Sequence, residues 1–186
     1  DEIAGLLPEG AVHQGLTLHA APLPDLALED VMAPFDETEA PPLLFLDQVS
    51  DPHNVGAILR SAAAFGATAV IVQDRHAPQV TGTLAKSASG AVEHIPLIRV
   101  TNLSRALEAA ADAGYFRLGL AGEADEVLGT QNLSDKIALV LGAEGPGLRR
   151  LTREKCDLLV KLPTHEPISS LNVSNAAAVA LFAVSK

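Results

Sequence analysis

Three segments of the sequence concentrate residues able to do chemistry. The first is Leu46-Asp47-Gln48-Val49-Ser50-Asp51-Pro52-His53-Asn54-Val55-Gly56-Ala57-Ile58-Leu59-Arg60, in which Asn54, Gly56 and Arg60 stand out. Gly56 and Arg60 are four residues apart, so on a helix they share a face. A bare glycine there leaves room for a substrate backbone beside a fixed cation and its fork of donors. In the second, an apolar run enters Gly142-Ala143-Glu144-Gly145-Pro146-Gly147. Glycines at such a turn admit positive φ and close approach of backbone to a ligand. No Gly-Lys-Ser/Thr follows, so this is not a P-loop, and the spacing is not the dinucleotide fingerprint. Glu144 suits a hydroxyl or a cationic ligand better than a phosphate. The third crowds Ser169, Ser170, Asn172, Ser174 and Asn175 between Pro167 and an apolar run. Small polar residues compete with helix unless they cap it or bind something. Capping by Ser169 or Ser170 accounts for two of these five, leaving Asn172 and Ser174 without a structural reason.

The elements that must position these segments follow from the apolar pattern. Strands are expected at 43–47, 69–73, 95–100, 117–122, 137–141 and 158–162, most of them continuous apolar runs. Such runs belong to strands covered on both faces. Between them, Val55, Ile58, Leu59, Ala62 and Phe65 recur at helical spacing, with Asn54 placed to cap the start and Gly66 to end the helix. Further helices are expected at 102–113, 148–156 and 170–184. The alternation predicts an α/β fold, a parallel sheet with helices on both faces. Ligands of such sheets bind at the carboxyl ends of the strands, where all three segments fall.

Composition bounds the rest. The 186 residues are one domain's worth, and 48% hydrophobic content with 19% charged is enough for a sizeable core. The formal charge of −10 is unevenly spread: residues 1–40 hold nine acids and no Lys or Arg, leaving 14 acids against 13 bases in 41–186. Residues 1–40 are therefore expected as an acidic, proline-punctuated arm with one strand around 12–19, and 41–186 as the domain proper. Without Trp and with 3% aromatics, base stacking on an aromatic sheet is not expected. A lone Cys156 cannot build a disulfide framework or a cysteine zinc site, and the six histidines lack ligand spacing. The longest apolar stretch, near 176–184, is short of the ~20 residues that span a bilayer. No basic-then-apolar leader opens the chain, so a cytoplasmic location is expected. Asp1 in place of Met points to a piece of a longer protein.

The three segments, in this order, resemble the SpoU/TrmH family of RNA ribose 2′-O-methyltransferases of the SPOUT superfamily. Its N-x-G-x-x-x-R motif stands as Asn54, Gly56 and Arg60; its G-x-E-G-x-G motif as Gly142, Glu144, Gly145 and Gly147; its S-S-L-N-V-S motif as Ser169 through Ser174. The runs Gly10-Ala11-Val12-His13-Gln14-Gly15 and Arg149-Arg150-Leu151-Thr152-Arg153-Glu154 look most like the bacterial branch that methylates a guanosine ribose of large-subunit ribosomal RNA. That branch usually carries a small N-terminal RNA-binding domain, which is not in this sequence.

The resemblance implies a SPOUT fold with a C-terminal trefoil knot, a homodimer with the site near the subunit interface, and S-adenosylmethionine as cofactor. It assigns the cofactor to Gly122, Leu141, Gly142, Ala143, Gly145, Leu162 and Leu171. It gives Arg60 the central role on the 2′-hydroxyl, with Asn54, Glu144, Ser170 and Asn172 orienting Arg60 and the ribose. An arginine is cationic, so stabilising a developing alkoxide or holding the adjacent phosphate suits it better than abstracting a proton. Beside the glycine segment, Arg149, Arg150 and Arg153, with Lys155, form a cluster that can meet RNA phosphates. Two rivals remain: the same chemistry on transfer RNA, and a non-catalytic RNA-binding assembly factor that kept the fold. Intact Arg60, Glu144 and Asn172 argue against the second.

Overall fold

In the computed structural model of the chain, the described residues are 2–7, 10, 11, 13, 15–19, 21, 23–32, 40–130, 136–167 and 170–185. Among them the chain runs α1 (Leu28–Met32), β1 (Ala40–Asp47), α2 (Pro52–Ala64), β2 (Ala69–Gln73), α3 (Gly82–Ala88), β3 (Leu97–Val100), α4 (Leu103–Asp112), β4 (Phe116–Leu120), β5 (Glu126–Val127), β6 (Lys136–Gly142), α5 (Arg150–Glu154), β7 (Leu158–Lys161) and α6 (Val173–Val184). The described strands form one parallel sheet in the order β3-β2-β1-β6-β4-β7-β5. The α/β class and the parallel sheet expected from the apolar pattern are therefore what the chain adopts.

Its centre is β1 beside β6, with Leu44 opposite Leu139, Phe45 opposite Val140 and Asp47 opposite Gly142. Leu43, Leu44, Phe45 and Leu46 are all buried because alternate side chains feed two separate cores. Leu44 and Leu46 meet Ile58, Leu59 and Leu181 on one face; Leu43 and Phe45 meet Leu107 and Val140 on the other. Each large side chain so buried contributes roughly 1.5–3 kcal/mol. Because every pairing is parallel, the carboxyl ends of β1, β2, β6, β4 and β7 share one pole.

Element boundaries differ from expectation in ways that matter for the site. Asn54 does not cap α2: Asp51 does, accepting the His53 N–H at 2.9 Å, with Pro52 in the first turn, where its missing N–H costs nothing. Ser170 does not cap the last helix. Ser169 lies outside the described residues, and α6 starts at Val173 with Asn172 as its cap. The helix expected over 148–156 shrinks to Arg150–Glu154, since Gly147 has φ +67° and Arg149 is extended. Within the acidic arm, α1 sends Leu28, Val31 and Met32 into the second core. Of the strand expected around 12–19, residues 12 and 14 lie outside the described residues, and 13 and 15–19 are in no strand. α3 and β5 are too short to carry a readable period.

Candidate active site

Asn54, Asn172 and Glu144 come from three different segments and meet at the carboxyl pole. Because Asp51 supplies the cap of α2, the Asn54 side chain is free, and its Oδ1 accepts a hydrogen bond from Asn172 Nδ2 at 3.0 Å. The same amide nitrogen donates to Glu144 Oε1 at 2.7 Å. Asn172 Oδ1 meanwhile accepts the Ser174 N–H at 2.9 Å and its hydroxyl at 2.6 Å. One amide thus caps α6 through its oxygen and ties two site residues together through its nitrogen, which uses its full donor set. Asn172 and Ser174 therefore do have a structural reason, contrary to the expectation from sequence. Among the described residues Glu144 is held through Oε1, and Oε2 has no hydrogen-bond partner.

Beside this cluster lies a cavity of about 560 Å³ at the ends of β4, β6 and β7. All seven residues that the resemblance assigns to a cofactor line it: Gly122; Leu141, Gly142, Ala143 and Gly145; Leu162 and Leu171. Glu144 and Ser170 line it too, whereas Asn54, Arg60 and Asn172 do not. Its glycine wall is folded tightly on itself. A Cβ on Gly142 would sit 2.1 Å from the carbonyl carbon of Gly147, and the Gly147 N–H donates to the Ala143 carbonyl at 2.9 Å. Gly145 has φ +83°, a conformation that excludes most side chains. The size is that of a site for a nucleoside-sized ligand. Its apolar side chains at Leu141, Leu162 and Leu171 suit a purine, while exposed backbone near the glycines supplies polar contacts. The residues present thus fit S-adenosylmethionine.

One expectation fails at this site, and the geometry qualifies another. The room beside Gly56 is not open to substrate: a Cβ there would lie 2.5 Å from the Leu84 carbonyl oxygen and 2.6 Å from Ser87 Cβ. Gly56 is buried and lets α3 pack on α2, while Arg60 is exposed. Nor are the basic residues after the glycine loop a bare cationic face. Arg149 turns inward to Asp47 and Gln73, Arg150 pairs with Glu154, Arg153 with Glu123 and Lys155 with Glu108. The nearby carboxylates feel this: Arg153 beside Glu123 holds its carboxyl below the usual range. Arg150 remains on the surface in a pair that costs little to open.

Arg60 stands apart. It lies six residues past Asn54 on α2, about 9 Å along the helix axis. It makes no hydrogen bond or ion pair among the described residues. Cys156 is no rival nucleophile, because burial pushes its thiol up to about 12. Among the described residues there is no group of three or more His, Cys, Asp or Glu able to hold a metal, and no helix long and apolar enough to cross a membrane. Reading the sequence for chemistry passed over Asp47, which is fully buried at this pole. The signal was present, a carboxylate closing a run of apolar residues that a buried strand must contain.

The model of the SpoU rRNA methylase family matches residues 41–182. The chain is 48% identical over 174 residues to 23S rRNA (guanosine-2′-O-)-methyltransferase RlmB of Photobacterium profundum, covering 94% of this chain and 71% of that protein. Its counterpart in Escherichia coli K12 is 47% identical over 177 residues, covering 94% and 72%. Among solved structures, SpoU methyltransferase AviRb from Streptomyces viridochromogenes, in complex with the cofactor AdoMet, matches with a TM-score of 0.73 at 30% identity. That match covers 88% of this chain and 62% of AviRb, so the chain spans less than two thirds of that structure. The chain belongs to the SpoU rRNA methylase family.

Proposed function

We propose that this protein transfers a methyl group from S-adenosylmethionine to the ribose 2′-hydroxyl of a guanosine in 23S ribosomal RNA. The observation that carries this reading is the Glu144–Asn172–Asn54 chain of hydrogen bonds opening beside a cofactor-sized cavity. The relatives named above give the substrate class. When bound, S-adenosylmethionine supplies an electrophilic methyl group on a sulfonium. The chain must then do two things: place the hydroxyl in line and ease the loss of its proton.

Gly122, Leu141, Gly142, Ala143, Gly145, Leu162 and Leu171 hold the cofactor, largely by backbone contact and apolar enclosure. Glu144, kept in place by Asn172, accepts a hydrogen bond from the ribose through Oε2, and Ser170 faces the same space. Arg60 stabilises the alkoxide that develops as the hydroxyl gives up its proton, or holds the adjacent phosphate. Arg150 and Arg153 are the members of the basic cluster proposed to meet RNA, since Arg149 is committed inward.

The protein is proposed to act as a homodimer with the site near the subunit interface. Two observations support this. Val179 and Phe182 leave a strongly exposed apolar face on α6, at 45% and 71% exposure. Arg60 also stands outside the cavity of its own chain, as expected of a site that a second copy completes. Family membership also supports a trefoil knot in the C-terminal segment. In this reading residues 41–186 form the transferring domain, 1–40 are its acidic arm, and the enzyme works in the cytoplasm with its RNA.

The test is Arg60→Ala, assayed with labelled cofactor and a 23S RNA transcript alongside calorimetric titration of S-adenosylmethionine. Transfer is expected to fall at least ~100-fold while cofactor binding stays within about threefold. Full transfer in the variant contradicts the role of Arg60, and transfer to tRNA in place of 23S RNA contradicts the substrate.

A further inference from the structure

Asp47 has no exposed surface, and a carboxylate there is costly unless paired and hydrogen-bonded. Both of its oxygens are taken by one residue. Oδ2 accepts the Arg149 backbone N–H at 2.9 Å, and Oδ1 accepts the Arg149 Nε–H at 2.6 Å. The outer edge of the guanidinium donates from Nη2 to Gln73 Oε1 at 2.9 Å. Gln73 is itself anchored, its Nε2 donating to the Thr101 carbonyl at 3.4 Å. One arginine is therefore gripped by the last residues of two adjacent central strands, β1 and β2.

The position of this grip matters more than its strength. Asp47 is buried while the Arg149 side chain keeps 39% of its surface exposed, and such a half-buried ion pair is weak evidence of stability. A charged fork with two directed bonds, beside a third from the Arg149 backbone N–H, fixes orientation instead. Asp47 lies laterally opposite Gly142, where the glycine loop leaves β6, and Arg149 is where that loop returns. Both ends of the loop are thus tied to one point, and Glu144 rides between them. Asp47 also begins the turn to α2, through Gln48 at φ +60°, and so roots the segment that carries Asn54.

We propose that Asp47, Arg149 and Gln73 form a positioning clamp that sets where Glu144 stands against Asn172 and Asn54 during methyl transfer. The proposal rests on the reading of Glu144 as a site residue. Arg149 in this role acts on the loop through Asp47 and Gln73 rather than on RNA phosphates.

The experiment is a double-mutant cycle of Arg149→Lys and Glu144→Gln, with kcat and the KM for 23S RNA measured separately. Hydrogen exchange at residues 143–149 is followed in the same proteins. Lysine keeps the charge but loses the fork. Arg149→Lys is expected to lower kcat about tenfold with the KM for RNA within about threefold. It is also expected to speed exchange of the Gly147 amide. In the Glu144→Gln background the same change should cost little more, because both substitutions act on one interaction. Additive losses in kcat overturn the clamp, as does a loss confined to KM, which would mark Arg149 as a phosphate contact. If Arg149→Lys fails to fold, Gln73→Met removes only the outer bond and carries the same cycle. If even the parent protein methylates no RNA, the functional reading fails, and loop exchange still decides the clamp: unchanged exchange in Arg149→Lys overturns it and faster exchange supports it.

Discussion

Asn172 does two jobs with one side chain, and they can be separated. Its oxygen caps α6, and its nitrogen links Asn54 to Glu144. Serine is also a good cap but lacks the reach and the amide donors. Asn172→Ser is therefore expected to cost less than about 1 kcal/mol of stability while lowering methyl transfer at least ~10-fold. Thermal melting and a transfer assay on the same sample check this; a stable variant with full transfer contradicts the account of the cluster. The residue types at this site were readable in the sequence, because small polar residues and glycines stand out against apolar runs. Their partners were not. Asp51 before Pro52 is a local signal for the cap, but nothing local says that the freed Asn54 oxygen meets Asn172, 118 residues away.

At the scale of elements, two glycines separate packing from chemistry. Gly56 sits where α2 and α3 touch, and Gly142 where the glycine loop closes on itself. Spacing alone made Gly56 look like room for a substrate; only the fold shows that α3 occupies that room. Gly56→Ala is expected to destabilise by about 1–3 kcal/mol through overpacking, with cofactor binding kept in the folded protein. Gly142→Ala is expected to abolish cofactor binding, because its Cβ would overlap the Gly147 backbone and force the loop open. Melting curves and calorimetry distinguish the two, and the reverse pattern contradicts the assignment.

The β4–β7 pair supplies a pH test. Arg117 donates to both oxygens of Asp157, at 3.0 and 2.7 Å, and holds its carboxyl below the usual range. A depressed folded pKa gives stability that is present above the unfolded value, about 3.9, and lost as pH falls through the folded one. Asp157→Asn should thus be about 1 kcal/mol less stable at pH 7, a figure that allows for solvent screening. The gap should close in strong acid. Urea titrations across pH 3–7 read it, and a gap that does not change with pH counts against the ion pair.

For the molecule as a whole, the class of fold was legible because buried parallel strands read as continuous apolar runs, and the central ones at 43–46 and 137–141 are nearly uniform. What escaped the sequence is long-range: the strand order, the committed Arg149, and the burial of α1 from within an acidic arm. The same distinction applies to assembly. Phe182, 71% exposed and edge-on to Phe65 at 6.1 Å, lies on the face proposed to pair two copies. Phe182→Asp is expected to yield a folded monomer by light scattering, with transfer lost along with the dimer. An active monomer contradicts the proposal that the site is completed across the interface.

Nucleoside analysis by mass spectrometry reads the methyl transfer itself. A 23S RNA transcript is incubated with the protein and S-adenosylmethionine, then digested to nucleosides. 2′-O-methylguanosine is expected to appear, and to be absent when Arg60→Ala replaces the parent protein. Methyl groups found on a base, or no methylated nucleoside while the cofactor binds, would contradict the proposed function.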